Sequence, residues 1–493
     1  MSRTRLVAWT LLAAGGFALV APPAAAQADL PKRPDSSLII QYRDQPNGGI
    51  GKDELKAARE SFAKTAKYYA DLIAHPAVWK ASQDFKLDTP GVRVPTIDGP
   101  NGILAELDRF LIEPMPNSSK PNREPADYVR EFGAAFDAAL KNLIETHPET
   151  IVRINAARVL AHVARTGAPA HFETVTALLG NAPTVLAPDW LTRAHDRIVA
   201  LRNPTRTEVK FYLFHAAGAL LAANDPNDIK IRKHAVDAKT VGALVKVLDD
   251  CVTDPAMLLA GLPAGKPDEI APDQLAVIGM VRRQAVRALA QTKFASLPGP
   301  DGKTKLYPAY TLARVALGDP ALVPAPGPAE CAEAAIGLCN MAPVEEKGGR
   351  YIADKAYNAD VAAEAVLTAL ATFAKPRASN AFDRSLPWRS YALRTAEGLR
   401  NWRPLFDPEY DILQPTKYDP KMIPPTVEEL YSKVIPKVLA PMDKVDGSGK
   451  PDATARVDIE WLLGRLAEAR VRPNRNTLMF KGVEKTSIDF AKK

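Results

Sequence analysis

The sequence predicts an all-α fold: an α-solenoid, or superhelix, in which pairs of amphipathic helices stack side by side and irregular, proline-rich inserts separate them. Two observations predict this class. Apolar residues recur every three or four positions in successive segments, which is the spacing of one face of a helix. The 43 prolines concentrate between these segments. They argue against a parallel sheet, because proline cannot donate a backbone hydrogen bond to a strand ladder.

The first 26 residues have the pattern of a secretory signal peptide. Arg3 and Arg5 give it a basic start, residues 6–21 are apolar but short for a bilayer span, and the segment ends at Ala26 after two further alanines. We expect cleavage after Ala26 and a periplasmic or secreted protein without an integral membrane anchor. A retained membrane anchor is the alternative.

Two segments precede the predicted repeats. Residues 27–52 are rich in proline, glycine, aspartate and serine, which predicts a flexible segment; the apolar run from Ser37 to Tyr42 is a tether or a single docking strand. Residues 53–126 predict an N-terminal helical cap, with one long helix that Pro76 stops or kinks and one short helix near Leu104.

The predicted repeat array covers residues 127–402. Its first unit is a helix over residues 127–147, a short turn, and a second helix over residues 151–164, which must fold back as an antiparallel hairpin. The apolar face of the second helix consists of Val152, Ala156, Val159, Leu160 and Val163. Arg153, Asn155 and Arg158 fall off that face.

The same helical pattern returns along the chain. Second helices are centred on Ala156, Leu213, Ala285, Ala334 and Ala392, at intervals of 57, 72, 49 and 58 residues. Candidate first helices lie between them, at residues 189–202, 237–251, 310–317 and 360–373. Each could cover the apolar face that a lone second helix would expose.

The second helices resemble those of HEAT or armadillo-type repeats. The motif is Val152-Arg153-x-x-Ala156-Ala157-x-x-Leu160-x-x-Val163, with weaker copies at Val281-Arg282-x-x-Ala285 and Trp388-Arg389-x-x-Ala392-Leu393. The chain departs from the pattern where Glu330 and Cys331 replace the Val-Arg pair and Leu213 replaces an alanine, and its intervals exceed the usual repeat length. The resemblance implies a superhelix whose second helices form a concave strip for a partner.

Residues 403–493 predict a C-terminal helical cap and tail. Thr426 with Glu429 three residues later has the form of a capping box that opens one helix, and residues 453–471 predict a final helix that closes the stack.

The sequence predicts no catalytic, cofactor or metal site. It lacks a Gly-x-Ser-x-Gly elbow, a phosphate-binding loop and a haem attachment motif, and no two of its seven histidines are spaced as metal ligands on one helix. The three cysteines, Cys251, Cys331 and Cys339, are expected to be buried free thiols, although Cys251 could pair with either of the others.

The charge pattern favours a protein partner over nucleic acid. The net charge is +7, and the positive residues alternate with acidic ones along nearly every segment instead of forming one basic face. The expected function is therefore a non-catalytic scaffold that binds a protein or other macromolecule on its concave face. The candidate contact residues are Arg153, Arg158, Arg282, Arg287, Arg389 and Arg394. A solvated surface or salt bridges between repeats would explain the same arginines.

Two other functions stay open. A helical toroid could act on or bind polysaccharide in the cell envelope, with a lining drawn from Trp388, Tyr391, Trp402, Tyr410 and Asp411, although such aromatics more often fill a core. A structural protein of the cell envelope is the third possibility.

Overall fold

The structure is a computed structural model that describes residues 30–44, 52–83, 95–98, 102–111, 126–181, 207–223, 236–259, 262, 269–347, 350–374, 386–407, 418–449, 458–470 and 477–488. The described part is mostly helical and confirms the predicted all-α class. The expected signal peptide and the candidate helix at residues 189–202 lie outside the described residues.

The described residues of the N-terminal part form four helices: α1 (Ser37–Asp44), α2 (Lys52–Ala74), α3 (Pro76–Gln83) and α4 (Ile103–Leu111). The expectation of a tether or strand at Ser37–Tyr42 is wrong, because this run is helical and packs on α2. Asp35 starts the helix by accepting hydrogen bonds from the backbone nitrogen and the hydroxyl of Ser37, both at 2.9 Å. Buried Ile39 then anchors α1 on the core.

Among the described residues, ten helices form the central part. They are α5 (Ala126–Thr146), α6 (Thr150–Val163), α7 (Pro169–Gly180), α8 (Thr207–Ala223), α9 (Ala238–Thr253), α10 (Pro272–Leu289), α11 (Pro308–Ala316), α12 (Pro328–Cys339), α13 (Ala359–Ala374) and α14 (Leu386–Trp402). Consecutive helices pack as pairs, from α5 with α6 to α13 with α14. Each helix also packs against the next but one along the chain.

The contacts therefore follow two series, which we call the first helix series (α5, α7, α9, α11 and α13) and the second helix series (α6, α8, α10, α12 and α14). The five positions from which the sequence intervals were counted all lie on the second helix series and are completely buried: Ala156, Leu213, Ala285, Ala334 and Ala392. Small side chains at most of these positions allow neighbouring helices to approach closely.

Helix α6 differs from its sequence prediction in one respect. Arg153 is 2% exposed and Asn155 is 0% exposed, although both fall off the apolar face. The reason is that α6 packs against both α5 and α8, with further contacts to α2, α3 and α4. A helix with neighbours on several sides has little free polar face.

Helix α7 was missed by the sequence analysis. It begins with Pro169, a favourable first residue of a helix, and buries Phe172, Val175, Leu178 and Leu179 at helical spacing. In the structure α7 is the first helix that pairs with α8.

Within the described residues the chain also forms two short antiparallel hairpins that the sequence analysis did not predict: β1 (Leu297–Pro298) with β2 (Lys305–Leu306), and β3 (Val344–Lys347) with β4 (Arg350–Ala353). The first hairpin packs on α9 at Gly242, where a Cβ would stand only 2.3 Å from the carbonyl oxygen of Pro298. Glycine is therefore required at that position for the hairpin to dock.

The C-terminal part contains α15 (Pro425–Glu429), a π-helical turn (Leu430–Val434), α16 (Ile435–Asp443) and α17 (Ile459–Arg470). The predicted capping box is wrong. Thr426 lies inside the helix and donates a 2.8 Å hydrogen bond to Asp360 Oδ1 on α13, while Glu429 lies 3.3 Å from Arg465 Nη1 on α17. These polar groups join three helices instead of capping one.

The C-terminal residues 477–488 return to the central helices. The backbone nitrogen of Asn358 donates a 3.0 Å hydrogen bond to the carbonyl of Met479, and that of Lys481 donates one of 2.8 Å to the carbonyl of Ala356. Phe480 is fully buried between Tyr307 and Tyr357. This segment thus covers the junction between α11 and α13.

All three cysteines are buried and free, which confirms the expectation for the thiols. In the described residues, no helix has the length and apolarity that a bilayer span requires.

Candidate functional site on the second helix series

Two of the six candidate arginines are buried in the helix packing. Arg153 donates from Nε to the carbonyl of His147, at the C-terminal end of α5. Arg282 is 1% exposed, and its Nε lies 2.6 Å from Glu330 Oε1 on α12. Glu330 Oε2 in turn accepts a 2.9 Å hydrogen bond from the backbone nitrogen of Gly327, before the first turn of α12. Neither guanidinium is available to a partner.

Lys210 occupies the corresponding place on α8, directly after Val209, and sequence reasoning did not select it. Its ammonium is buried and donates to the carbonyls of Leu179 at 2.7 Å and Met257 at 2.8 Å. Desolvation lowers the pKa of Lys210 to about 8. These backbone carbonyls lie at or just beyond the C-terminal ends of first-series helices, where a positive charge is favourable.

Arg158 forms an ion pair with Asp98, and its guanidinium lies 5.5 Å from the ring centroid of Tyr212 on α8. It therefore connects α6 to α8 and to the segment before α4. Arg389 lies on α14, but its side chain is outside the described part of the structure.

Arg287 and Arg394 are brought together by one carboxylate. Glu333 on α12 is buried, forms an ion pair with Arg287 on α10, and lies 3.0 Å from Arg394 Nη2 on α14. Tyr391 packs under Arg394, with the guanidinium 5.9 Å from its ring centroid. Burial first, and then the negative charge of Glu333, raise the pKa of the Tyr391 hydroxyl, so it stays protonated at neutral pH.

We call these residues, together with Arg283, the arginine cluster. Arg283 also acts electrostatically on Tyr391, and its Nε has no hydrogen-bond partner within the described residues. Two guanidinium groups, those of Arg287 and Arg394, thus share one carboxylate, which leaves an excess of positive charge. The side chains of Arg287 and Arg394 are 37% and 46% exposed, so this charge faces solvent.

Two large apolar side chains are exposed next to the arginine cluster. Met280 is 53% exposed and lies three and seven residues before Arg283 and Arg287, on the same face of α10. Leu393 is 47% exposed and adjoins Arg394 on α14. Arginine and methionine are both enriched at protein interfaces.

A groove of about 500 Å³ runs beside the cluster, along α8 and α10. We call it the basic groove. Its floor consists of Phe214, Gly218, Ala219, Ala222, Ala223 and Ala288. Its rim consists of Arg165, His215, Gln284, Arg287 and Gln291. Burial first, and then the charge of Arg287, lower the pKa of His215, so the imidazole is mostly neutral at pH 7.

A second cleft of about 500 Å³ lies in the C-terminal part. Its charged lining residues are Asp360, Glu364, Glu429, Arg465, Glu468 and Lys481. Arg465 forms ion pairs with Glu429 and Glu468, and Thr426 bonds Asp360. These contacts hold α13, α15 and α17 together around the cleft.

The histidines are used inside the packing or at its edge. His162 Nε2 lies 2.7 Å from Asp108 Oδ1, and fully buried His171 places Nδ1 3.0 Å from Asp137 Oδ1. His195 and His234 lie outside the described residues. Within the described part, no three metal-ligating side chains are grouped to hold an ion.

Two of the aromatic residues considered for a polysaccharide site are described, and neither of them lines either cleft. Trp402 is fully buried, with its ring centroid 5.2 Å from that of Phe406, and Tyr391 is 7% exposed beneath Arg394. Tyr410 and Asp411, and the side chain of Trp388, are outside the described part of the structure.

Comparisons of the chain with protein-family models, with curated proteins and with solved structures gave no match. Function is therefore inferred from the geometry of the chain itself.

Proposed function

We propose that the protein is an exported, non-catalytic α-solenoid scaffold that binds a protein partner on the exposed face of its second helix series. The packing of each helix against the next but one supports the solenoid, because this is the contact pattern of stacked helical hairpins. The basic pattern of the first residues supports export.

The observation that carries the binding function is the arginine cluster with its exposed apolar neighbours. The guanidinium groups of Arg287 and Arg394 share the single carboxylate of Glu333, and Met280 and Leu393 expose apolar surface on the same two helices. Positive charge steers an acidic partner towards this face, and apolar contacts then stabilise the complex. Arg153 and Arg282 are withdrawn from the proposed contact, since both are buried.

The test places a negative charge on this face without disturbing the core. In the double variant Met280→Asp and Leu393→Asp, both positions are already exposed, so the fold is retained. The matched control is Met422→Asp with Leu463→Asp, which are 48% and 43% exposed elsewhere on the molecule. Each tagged protein is incubated with envelope extract of the native host, cross-linked and captured, and the bound proteins are quantified by mass spectrometry.

We expect the parent and the control to recover the same partner in similar amounts. The Met280/Leu393 variant should recover at least about tenfold less of it, because repulsion between like charges and the loss of apolar contact area both weaken binding. Equal recovery by all three proteins would refute the proposed binding face. Circular dichroism of each variant confirms that the helical content is unchanged.

A further inference from the structure

We propose that the basic groove holds a short acidic segment of the partner, with its carboxylates on Arg165 and Arg287 and its small side chains on the alanine floor. This inference rests on the proposed function and adds the chemistry of the partner. It concerns a site next to the arginine cluster, and Arg287 belongs to both.

The charge of the lining selects an anionic occupant. Among the described residues that line the groove, the charged side chains are Arg165 and Arg287, and no carboxylate is present. Arg165 is 52% exposed and shares Asp108 with His162, while Arg287 shares Glu333 with Arg394. The side chains of Arg165 and Arg287 are 52% and 37% exposed, so an entering carboxylate can reach both guanidinium groups, and carboxylates are the groups that such donors bind most strongly.

The shape of the groove suits a polypeptide. Its floor is built from alanine and glycine, so the backbone of a bound segment can approach α8 and α10 closely. At Gly218 a Cβ would lie 3.4 Å from the Cα of Ala288, which shows how near the two helices come beneath the floor. The volume of about 500 Å³ lies within the range of roughly 300–1,000 Å³ of ligand-binding clefts.

The first experiment uses a defined probe. A fluorescein-labelled peptide of alternating glutamate and alanine is titrated with the full chain and followed by fluorescence anisotropy, and a glutamine–alanine peptide of equal length is the uncharged control. We expect the glutamate peptide to bind at least about tenfold more tightly, since charge-assisted hydrogen bonds exceed neutral ones by that margin. Equal affinities for the two peptides would overturn the proposal.

Matched variants locate the binding. Ala222→Leu fills the floor, and Arg165→Gln removes one rim charge while Asp108 keeps His162 as a partner. Ala467→Leu and Arg400→Gln are the controls, because both positions are exposed and lie outside the groove. We expect roughly a fivefold to tenfold loss of affinity in each groove variant and none in the controls. Groove variants that bind like the parent contradict the assignment.

Three further outcomes would overturn this inference without refuting the proposed binding face. If Met280→Asp with Leu393→Asp abolishes partner capture but Ala222→Leu leaves it unchanged, the binding face stands and the groove assignment fails. If the parent self-associates in sedimentation and Ala222→Leu does not, the occupant is a second copy of this chain, and the acidic-partner proposal is overturned. If inorganic phosphate competes with the glutamate peptide at equal ionic strength, the groove is a simple anion site, and the acidic-partner proposal is likewise overturned.

Discussion

At the level of single residues, buried polar side chains on the second helix series fix the register between neighbouring helices. Arg153, Lys210 and Arg282 each directly follow a buried valine on their helices and each reach a carbonyl or carboxylate of another element. Helices packed by alanine and leucine alone can slide along one another. A buried cation with one suitable acceptor fixes the register, because any shift would leave the charge unpaired.

Lys210 gives a prediction about pH. The unfolded chain holds its proton up to the ordinary pKa of 10.5, whereas the folded chain releases it near pH 8. The unfolded state therefore binds more protons between these values, so the lysine makes the free energy of unfolding rise with pH there, by at most about 1.4 kcal/mol per pH unit. We expect the stability of the parent relative to Lys210→Met to increase between pH 8 and 10 in urea titrations.

The difference between the two proteins isolates the lysine, because the cysteines and tyrosines that titrate in the same range are common to both. A difference that stays constant from pH 7 to 10 would contradict the lowered pKa. The control repeats the urea titrations with Lys246→Met, which removes a half-exposed lysine on α9. It shows whether the pH dependence of stability belongs to Lys210 or follows the loss of any lysine.

Asn155 gives a prediction about an unmade hydrogen bond. It is completely buried, and neither its amide nitrogen nor its carbonyl oxygen has a partner within the described residues. Leucine has the same branched shape and the same number of side-chain heavy atoms but no polar atoms, so Asn155→Leu should raise the free energy of unfolding by about 1 kcal/mol. Asn155→Asp should lower it by several kcal/mol, because it buries a charge. Destabilisation by leucine in a urea titration would show that the amide is satisfied in solution.

Helix α12 illustrates what decides packing at the level of whole elements. Glu330 and Cys331 replace the Val-Arg pair that α6 and α10 carry, and the structure shows that Glu330 has a partner of opposite charge on α10. Glu330 pairs with Arg282 of the preceding helix and also holds the backbone at Gly327. The residue that departs from the repeat pattern thus forms an ion pair between α10 and α12. Salt bridges between repeats were one of the alternative explanations considered for the arginines.

The Arg282–Glu330 pair can be tested by a double-mutant cycle. Arg282→Met should cost about 3–5 kcal/mol, because it leaves a buried carboxylate unpaired. Adding Glu330→Gln should recover part of this loss, since glutamine is neutral and its carbonyl can still accept from Gly327. If the second substitution adds its own full cost in chemical denaturation, the two side chains do not interact as described.

At the scale of the whole molecule, the C-terminal segment couples distant parts of the chain. Phe480 packs on Tyr307 and Tyr357, and the hydroxyl of Tyr310 lies 3.4 Å from the carbonyl of Ser487, 177 residues away in sequence. A stack of helices has only neighbour contacts, so its ends are its least protected parts. The returning segment covers the α11–α13 junction and protects that end of the stack.

This coupling predicts a local effect of a tail substitution. Phe480→Ala should cost about 3–5 kcal/mol and increase amide hydrogen exchange in α11 and α13 before it affects α5 and α6. Lys481→Ala, at the next and exposed residue, is the control. A uniform increase in exchange along the chain would mean that the segment stabilises the molecule as a whole and not this junction.

The sequence by itself determined the helical class, the five buried centres of the second helix series from Ala156 to Ala392, three of the four candidate first helices, and the burial of the thiols. Each of these depends on the periodicity of apolar residues within one segment, which local sequence carries. Arg287 and Arg394 were selected from the same periodicity, but their convergence on Glu333 was not foreseen.

Only the tertiary structure decided which polar residues face other helices, that α7 pairs with α8, and that residues 477–488 return to the loop before α13. The physical reason is that a helix has several sides, and whether Arg153, Asn155 or Lys210 is buried depends on neighbours that lie far away in the sequence. The basic groove exists for the same reason, since its floor is shared by α8 and α10 and neither helix defines it alone.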